Sequence, residues 1–135
     1  MSEIIDLDSL IDDYISVSFT NPSESLLDAI SQLLDSAMER QEISFVGVFD
    51  SSGKMLRGNF PESHLFRLEV EISRGAIKPV MDIVPTSVSS GEHKVQMFQV
   101  KTLTIAVAAD PLESDMHAVS MVGELAYSLN ELLSG

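Results

Sequence analysis

The residues of this chain whose types could do chemistry are three histidines, a few close carboxylates and one serine-glycine-lysine loop. His64, His93 and His117 are the natural metal ligands or general bases, because imidazole exchanges its proton near neutral pH. They stand on three separate stretches with no HxxxH-like ligand spacing, so each reads as a surface or helix-start residue. Asp12-Asp13 and Glu69/Glu71 are carboxylate pairs, yet such near neighbours do not share a helical face. They read as solvated charge rather than acid–base machinery. The loop Asp50-Ser51-Ser52-Gly53-Lys54 resembles a phosphate loop in composition, but neither GxxxxGK[ST] nor GxGxxG is present. A hairpin turn accounts for it. No GxSxG surrounds any serine. The oxygen-rich stretch 110–115, DPLESD, could hold a hard cation, although a capped helix start explains the same residues. No catalytic, metal-binding or cofactor-binding residue is nominated, and the expectation is a protein that is not an enzyme.

Composition narrows the classes further. The chain has 135 residues, is 44% hydrophobic and contains no cysteine. That is one domain with enough apolar material for a core, without disulfides or thiolate metal sites. The formal net charge is −13. It repels phosphate backbones and anionic lipid, so nucleic acid is excluded as a general partner. The acids crowd residues 1–42, where Arg40 is the single base. They read as a solvated face or as a surface for a basic partner. No apolar run approaches the ~20 residues of a membrane span. The first ten residues carry no basic n-region, so the expectation is a soluble cytoplasmic protein.

The elements follow from periodicity. Residues 43–60 read as a β-hairpin expected in the middle of a small sheet. Ile43–Phe49 is nearly all apolar, Asp50–Gly53 supplies turn chemistry, and Met55–Phe60 returns. Gly47 predicts a bulge or a close backbone approach. Residues 6–17 predict a short amphipathic helix, with Leu10, Ile11, Tyr14 and Ile15 as its stripe. Asn21-Pro22-Ser23-Glu24 predicts a helix start with Asn21 as cap, running to about Arg40. Residues 62–84 fit both a strand, through Phe66, Leu68, Val70 and Ile72, and a helix, through Leu65, Leu68, Ile72, Ala76 and Val80. Their length favours the helix, weakened by Gly75 and Pro79. A short polar edge strand over 86–90 and an alternating strand over 93–100 follow. Residues 103–109 form a second buried strand, expected beside 43–49. Asp110 is the expected cap of a last helix.

This α+β order resembles the roadblock/longin-type domains, and an archaeal branch of them in particular. The resemblance is carried by FVGVFDSSGKML (45–56), LFRLEVEIS (65–73), SVSSGEHKVQMFQV (87–100) and LTIAVAADP (103–111), and covers residues 22–133. It implies a profilin-like sandwich, with a five-stranded antiparallel sheet in order 2-1-5-4-3 flanked by helices. A helical extension at 1–20 precedes the domain at 21–135. It also implies a homodimer joined through the second helix and third strand, acting as scaffold or regulator, with a Ras-like small GTPase as partner class. On this reading Leu65, Leu68, Glu69, Ile72, Gly75 and Ala76, with Thr86 and Val88 on the edge, form the dimer interface. The extra N-terminal helix and Pro79 depart from the simplest pattern of the family. A second function class is a small-molecule sensor of profilin-like or PAS-like shape, which requires a pocket between sheet and helix.

Overall fold

The computed structural model describes residues 23–134. The helix expected over 6–17, the extension 1–20 and the Asn21-Pro22 start lie outside the described residues. The first described helix, α1 (Glu24–Met38), is capped by Ser23, whose hydroxyl accepts from the Leu26 amide at 3.2 Å. Ile30, Leu34 and Ala37 are its buried residues.

Five strands follow the expected pattern: β1 (Ile43–Phe49), β2 (Met55–Gly58), β3 (Thr86–Ser90), β4 (His93–Val100) and β5 (Leu103–Ala109). They form one antiparallel sheet in the order β2-β1-β5-β4-β3. The hairpin β1–β2 is not central, as its sequence suggested. β2 is a four-residue, half-buried edge strand, whereas β5 is buried along its whole length and takes the middle. Only a strand apolar on both sides tolerates cover on both sheet faces. Gly47 stands opposite Gly58 with a bulge one residue on, and the Phe60 ring lies over it at close approach.

Two corrections concern helices. The helix after the hairpin, α2 (Glu62–Ser73), stops well before residue 84. Gly75, at φ 72°, turns the chain and returns its amide to the Ile72 carbonyl at 3.0 Å. The following segment runs beside β4 instead, through a parallel bridge of Pro79 with Gln99. The last helix, α3 (Asp115–Ser134), begins at Ser114, whose hydroxyl accepts from the His117 amide at 3.1 Å. Asp110 closes a separate local turn onto the Leu112 amide at 2.9 Å.

The layers are α1 with α3, the sheet, and α2. Ile30, Leu34, Met121, Val122 and Leu129 pack on Val46, Ile105 and Val107 from one side. Leu68 and Ile72 of α2 pack with Phe49, Val95, Met97, Ala106 and Ala108 on the other. Among the described residues no helix is long and apolar enough to cross a membrane.

The β1–β2 turn fixes α2 over its face. Asp50 Oδ1 accepts from the Ser52 and Lys54 amides at 2.9 and 3.0 Å and from the Ser52 hydroxyl at 2.7 Å. The loop's amides therefore serve its own carboxylate rather than a phosphate. Gly53, at φ 90°, presses so close to α2 that an added Cβ would lie 2.7 Å from the Glu69 Cα. Gly53→Ala is expected to cost about 1–3 kcal/mol, from the left-handed backbone and the clash together. Lys101, at φ 57° in the β4–β5 turn, is the opposite case. Lys101→Gly is expected to add up to about 1 kcal/mol. Urea unfolding midpoints of the two variants check both signs.

Candidate functional site

The second helix and the edge beside it are the surface that the sequence pointed to. Only one face of α2 is needed to cover the sheet. Leu68 and Ile72 point inward and are 0% and 4% exposed, and Leu65 packs against the same cluster. Val88 is likewise buried from β3. Leu68, Ile72 and Val88 serve the chain's own core and do not face outward, while Leu65 is half-buried at its margin. Glu69 is exposed and backs the Gly53 turn. Gly75 and Ala76 are exposed beyond the helix end, with nothing within 4 Å of the place a Gly75 side chain would take. Gly75 therefore acts as a helix stop. Thr86 is half-buried, and its hydroxyl accepts from the Lys78 amide at 2.9 Å.

The outward stripe of α2 is a different set. Ser63, Phe66, Val70 and Ser73 recur at three- and four-residue steps on the side away from Leu68. Phe66 is 75% exposed. Glu62 and Glu69 flank the stripe on one side, and Arg67 and Arg74 on the other. Both arginines turn back to Glu71, at 2.7 and 3.3 Å. The Arg67 Nε also reaches the Ser89 carbonyl of β3 at 3.4 Å. Among the described residues β3 has β4 as its single neighbour in the sheet. The loop leading into it leaves Met81, Ile83 and Val84 at 79%, 90% and 58% exposure. Sequence reasoning missed Phe66 and this loop. The signal was present for Phe66, because a helix that buries Leu68 and Ile72 must turn residue 66 about 200° away.

Two of the three histidines meet in space, which their sequence spacing concealed. His64, near the start of α2, and His93, at the start of β4, have ring centroids 5.7 Å apart. Phe45 lies 5.5 and 5.1 Å from them, and Phe60 completes the group. His64 Nδ1 is 2.5 Å from the hydroxyl of Ser90, which is buried. The group pins the front of α2 onto the β3–β4 hairpin. His117 stands apart on α3, 3.8 Å from Glu42. Among the described residues no three His, Cys, Asp or Glu side chains could share a metal ion.

A cavity of about 260 Å³ lies on the other face of the sheet, between α1 and the β2 edge. It lies between sheet and helix, where a sensor reading required a pocket. Arg57 lines it.

No protein-family model matches the chain, and no curated protein matches it. Solved structures do. One is MglB with a tetrameric arrangement, at TM-score 0.66 and 8% identity over 87% of this chain and 96% of that one. LokiProfilin1 in complex with rabbit actin gives 0.53 at 14% identity, over 83% and 99% of the two chains. LokiProfilin2 in complex with rabbit actin gives 0.51 at 15%, over 82% and 98%. At these identities the likeness is one of fold, and the fold is the expected profilin-like, roadblock/longin-like sandwich.

Ile72→Asp would bury an unpaired carboxylate and is expected to cost about 3 kcal/mol or more. Phe66→Asp, on the outward stripe, is expected to change the stability of the isolated chain by no more than about 0.5 kcal/mol. Urea unfolding at low protein concentration separates the two.

Proposed function

We propose that this chain is a non-enzymatic interaction module. It pairs with a second copy of itself through α2 and the β3 edge, and works as a scaffold or regulator in the cytoplasm for a protein partner. A Ras-like small GTPase is the partner class that the resemblance to roadblock/longin domains favours. The observation that carries the reading is the outward stripe of α2. A single chain leaves Phe66 in water near the β1–β2 turn, and it leaves Met81, Ile83 and Val84 exposed on the loop entering the edge strand β3. Exposed contiguous apolar surface on a folded domain marks an interaction site.

The self-pairing would place Ser63, Phe66, Val70 and Ser73 of two helices against each other. The small serines allow close approach and the two larger residues fill the seam. Of the residues first expected there, Leu65, Glu69, Gly75, Ala76 and Thr86 remain available at the rim. The likeness in fold to MglB, seen in a tetrameric arrangement, supports an assembling module. The profilins seen with actin support a protein-binding use of the same sandwich.

Light scattering on a sizing column tests the reading. The expected mass is twice 14.7 kDa at micromolar concentration, falling to the single-chain value in Phe66→Asp. A single-chain mass for the unaltered protein, or an unchanged mass for the variant, would overturn the α2 pairing. Capture of nucleotide-loaded small GTPases by the unaltered protein, lost in the same variant, is the expected result for the partner class.

A further inference from the structure

The cavity between α1 and β2 brings a base, an acid and an amide to one small space. Its α1 wall is the stripe Ser31, Leu34, Asp35 and Met38, at helical steps of three and four. Facing it stand Arg57 of β2 and Asn59 just beyond it, with Val46 of β1 as floor. Two of these polar groups are held in place by the backbone. Arg57 Nη1 donates to the Leu56 carbonyl at 2.7 Å, which leaves further N–H groups of the guanidinium fork. Asn59 Oδ1 accepts from the Val46 amide at 2.9 Å, which fixes its amide plane. Among the described residues the Asn59 Nδ2 meets the Met38 sulfur at 3.4 Å, and a thioether is a weak acceptor.

Arg57 and Asp35 line the same space with no ion pair of 4.0 Å or less between them. A cation and an anion held apart across a small cavity match a dipolar guest. Leu34 and Val46 lie beneath it as part of the core, 4% and 0% exposed, so its open apolar surface is that of the half-buried Met38. About 260 Å³ is below the usual range for drug-sized ligands and suits a molecule of a few heavy atoms.

We propose that this cavity binds a small zwitterion of the α-amino acid class. The carboxylate sits on the Arg57 fork and the Asn59 amide, the ammonium on Asp35, and a short side chain against Met38. The bidentate fit of guanidinium to carboxylate makes Arg57 the main anchor. The site lies across the sheet from α2, so it stands or falls independently of self-pairing.

Titration with L-alanine, followed by NMR of the labelled protein, tests it. The expected result is a saturable shift of the Asn59 side-chain amide and the Val46 backbone amide. Arg57→Gln is expected to weaken binding about tenfold or more. Asp35 is an exposed helix residue, so Asp35→Asn keeps the fold while weakening L-alanine binding as well. Propionate, which lacks the ammonium group, is expected to bind more weakly than L-alanine to the unaltered protein. Three outcomes each overturn the assignment: no saturable shift with L-alanine, equal binding by both variants and the unaltered protein, or equal binding of propionate and L-alanine.

Discussion

The burial of β5 on both faces is the constraint on which the rest of the molecule depends. Every residue from Leu103 to Ala109 is buried. A strand in that position must be covered twice, and its side chains are sorted to suit two different covers. Leu103, Ile105 and Val107 meet the paired helices α1 and α3, while Ala106 and Ala108 meet α2. Large residues on the two-helix side fill the wide gap between cylinders. Small ones on the other side let Leu68, Ile72, Phe49 and Met97 come in close. α2 is thereby drawn onto the sheet tightly enough that the β1–β2 turn must be glycine where it touches Glu69.

The same sorting explains what could be read in advance. Continuous apolar runs gave β1 and β5, alternation gave β4, and a polar run bounded by Pro85 and Gly91 gave the edge strand β3. Those signals are local, because each residue's neighbours in sequence reveal how many faces are covered. The segment 62–84 failed for a reason of the opposite kind. Its helix ends where Gly75 takes φ 72°, and the residues beyond are held by Gln99, which no local pattern announces. Val80 then packs with the two-helix side while Ala76 is exposed, so the spacing of these two imitated a helix that is not there. The caps failed more narrowly: Ser23 and Ser114, standing next to stronger-looking candidates, are the residues that accept the first free amides.

Site residues were harder to read than elements, since a helix shows its inner and outer faces with similar apolar letters. Leu68 and Ile72 looked like a contact surface because they are the most apolar positions of α2. For the same reason they were taken by the core. Phe66 is what remains outside once that choice is made. The meeting of His64 with His93 could not be read at all. It depends on α2 crossing the β3–β4 hairpin, and the two residues lie far apart in sequence.

Size decides how much of the edge a self-pairing surface must use. α2 has 12 residues, about 18 Å of helix at 1.5 Å per residue and about 10 Å across. Its outward stripe alone offers a few hundred Å² at most, whereas a stable pair buries roughly 800 Å² on each partner. A helix-only contact would therefore be transient. Among the described residues nothing pairs with the outer side of β3, and Met81, Ile83 and Val84 are exposed on the loop that enters it. Burying large apolar side chains stabilises by about 1.5–3 kcal/mol each. Strand addition at β3 would also satisfy backbone groups that face water in the single chain. On these magnitudes a self-pairing would take its register from the helix stripe and most of its area from the edge strand and its loop. Ser87 and Ser89 are exposed on that strand and leave its outward face polar, so an added strand would have to be recognised through its backbone.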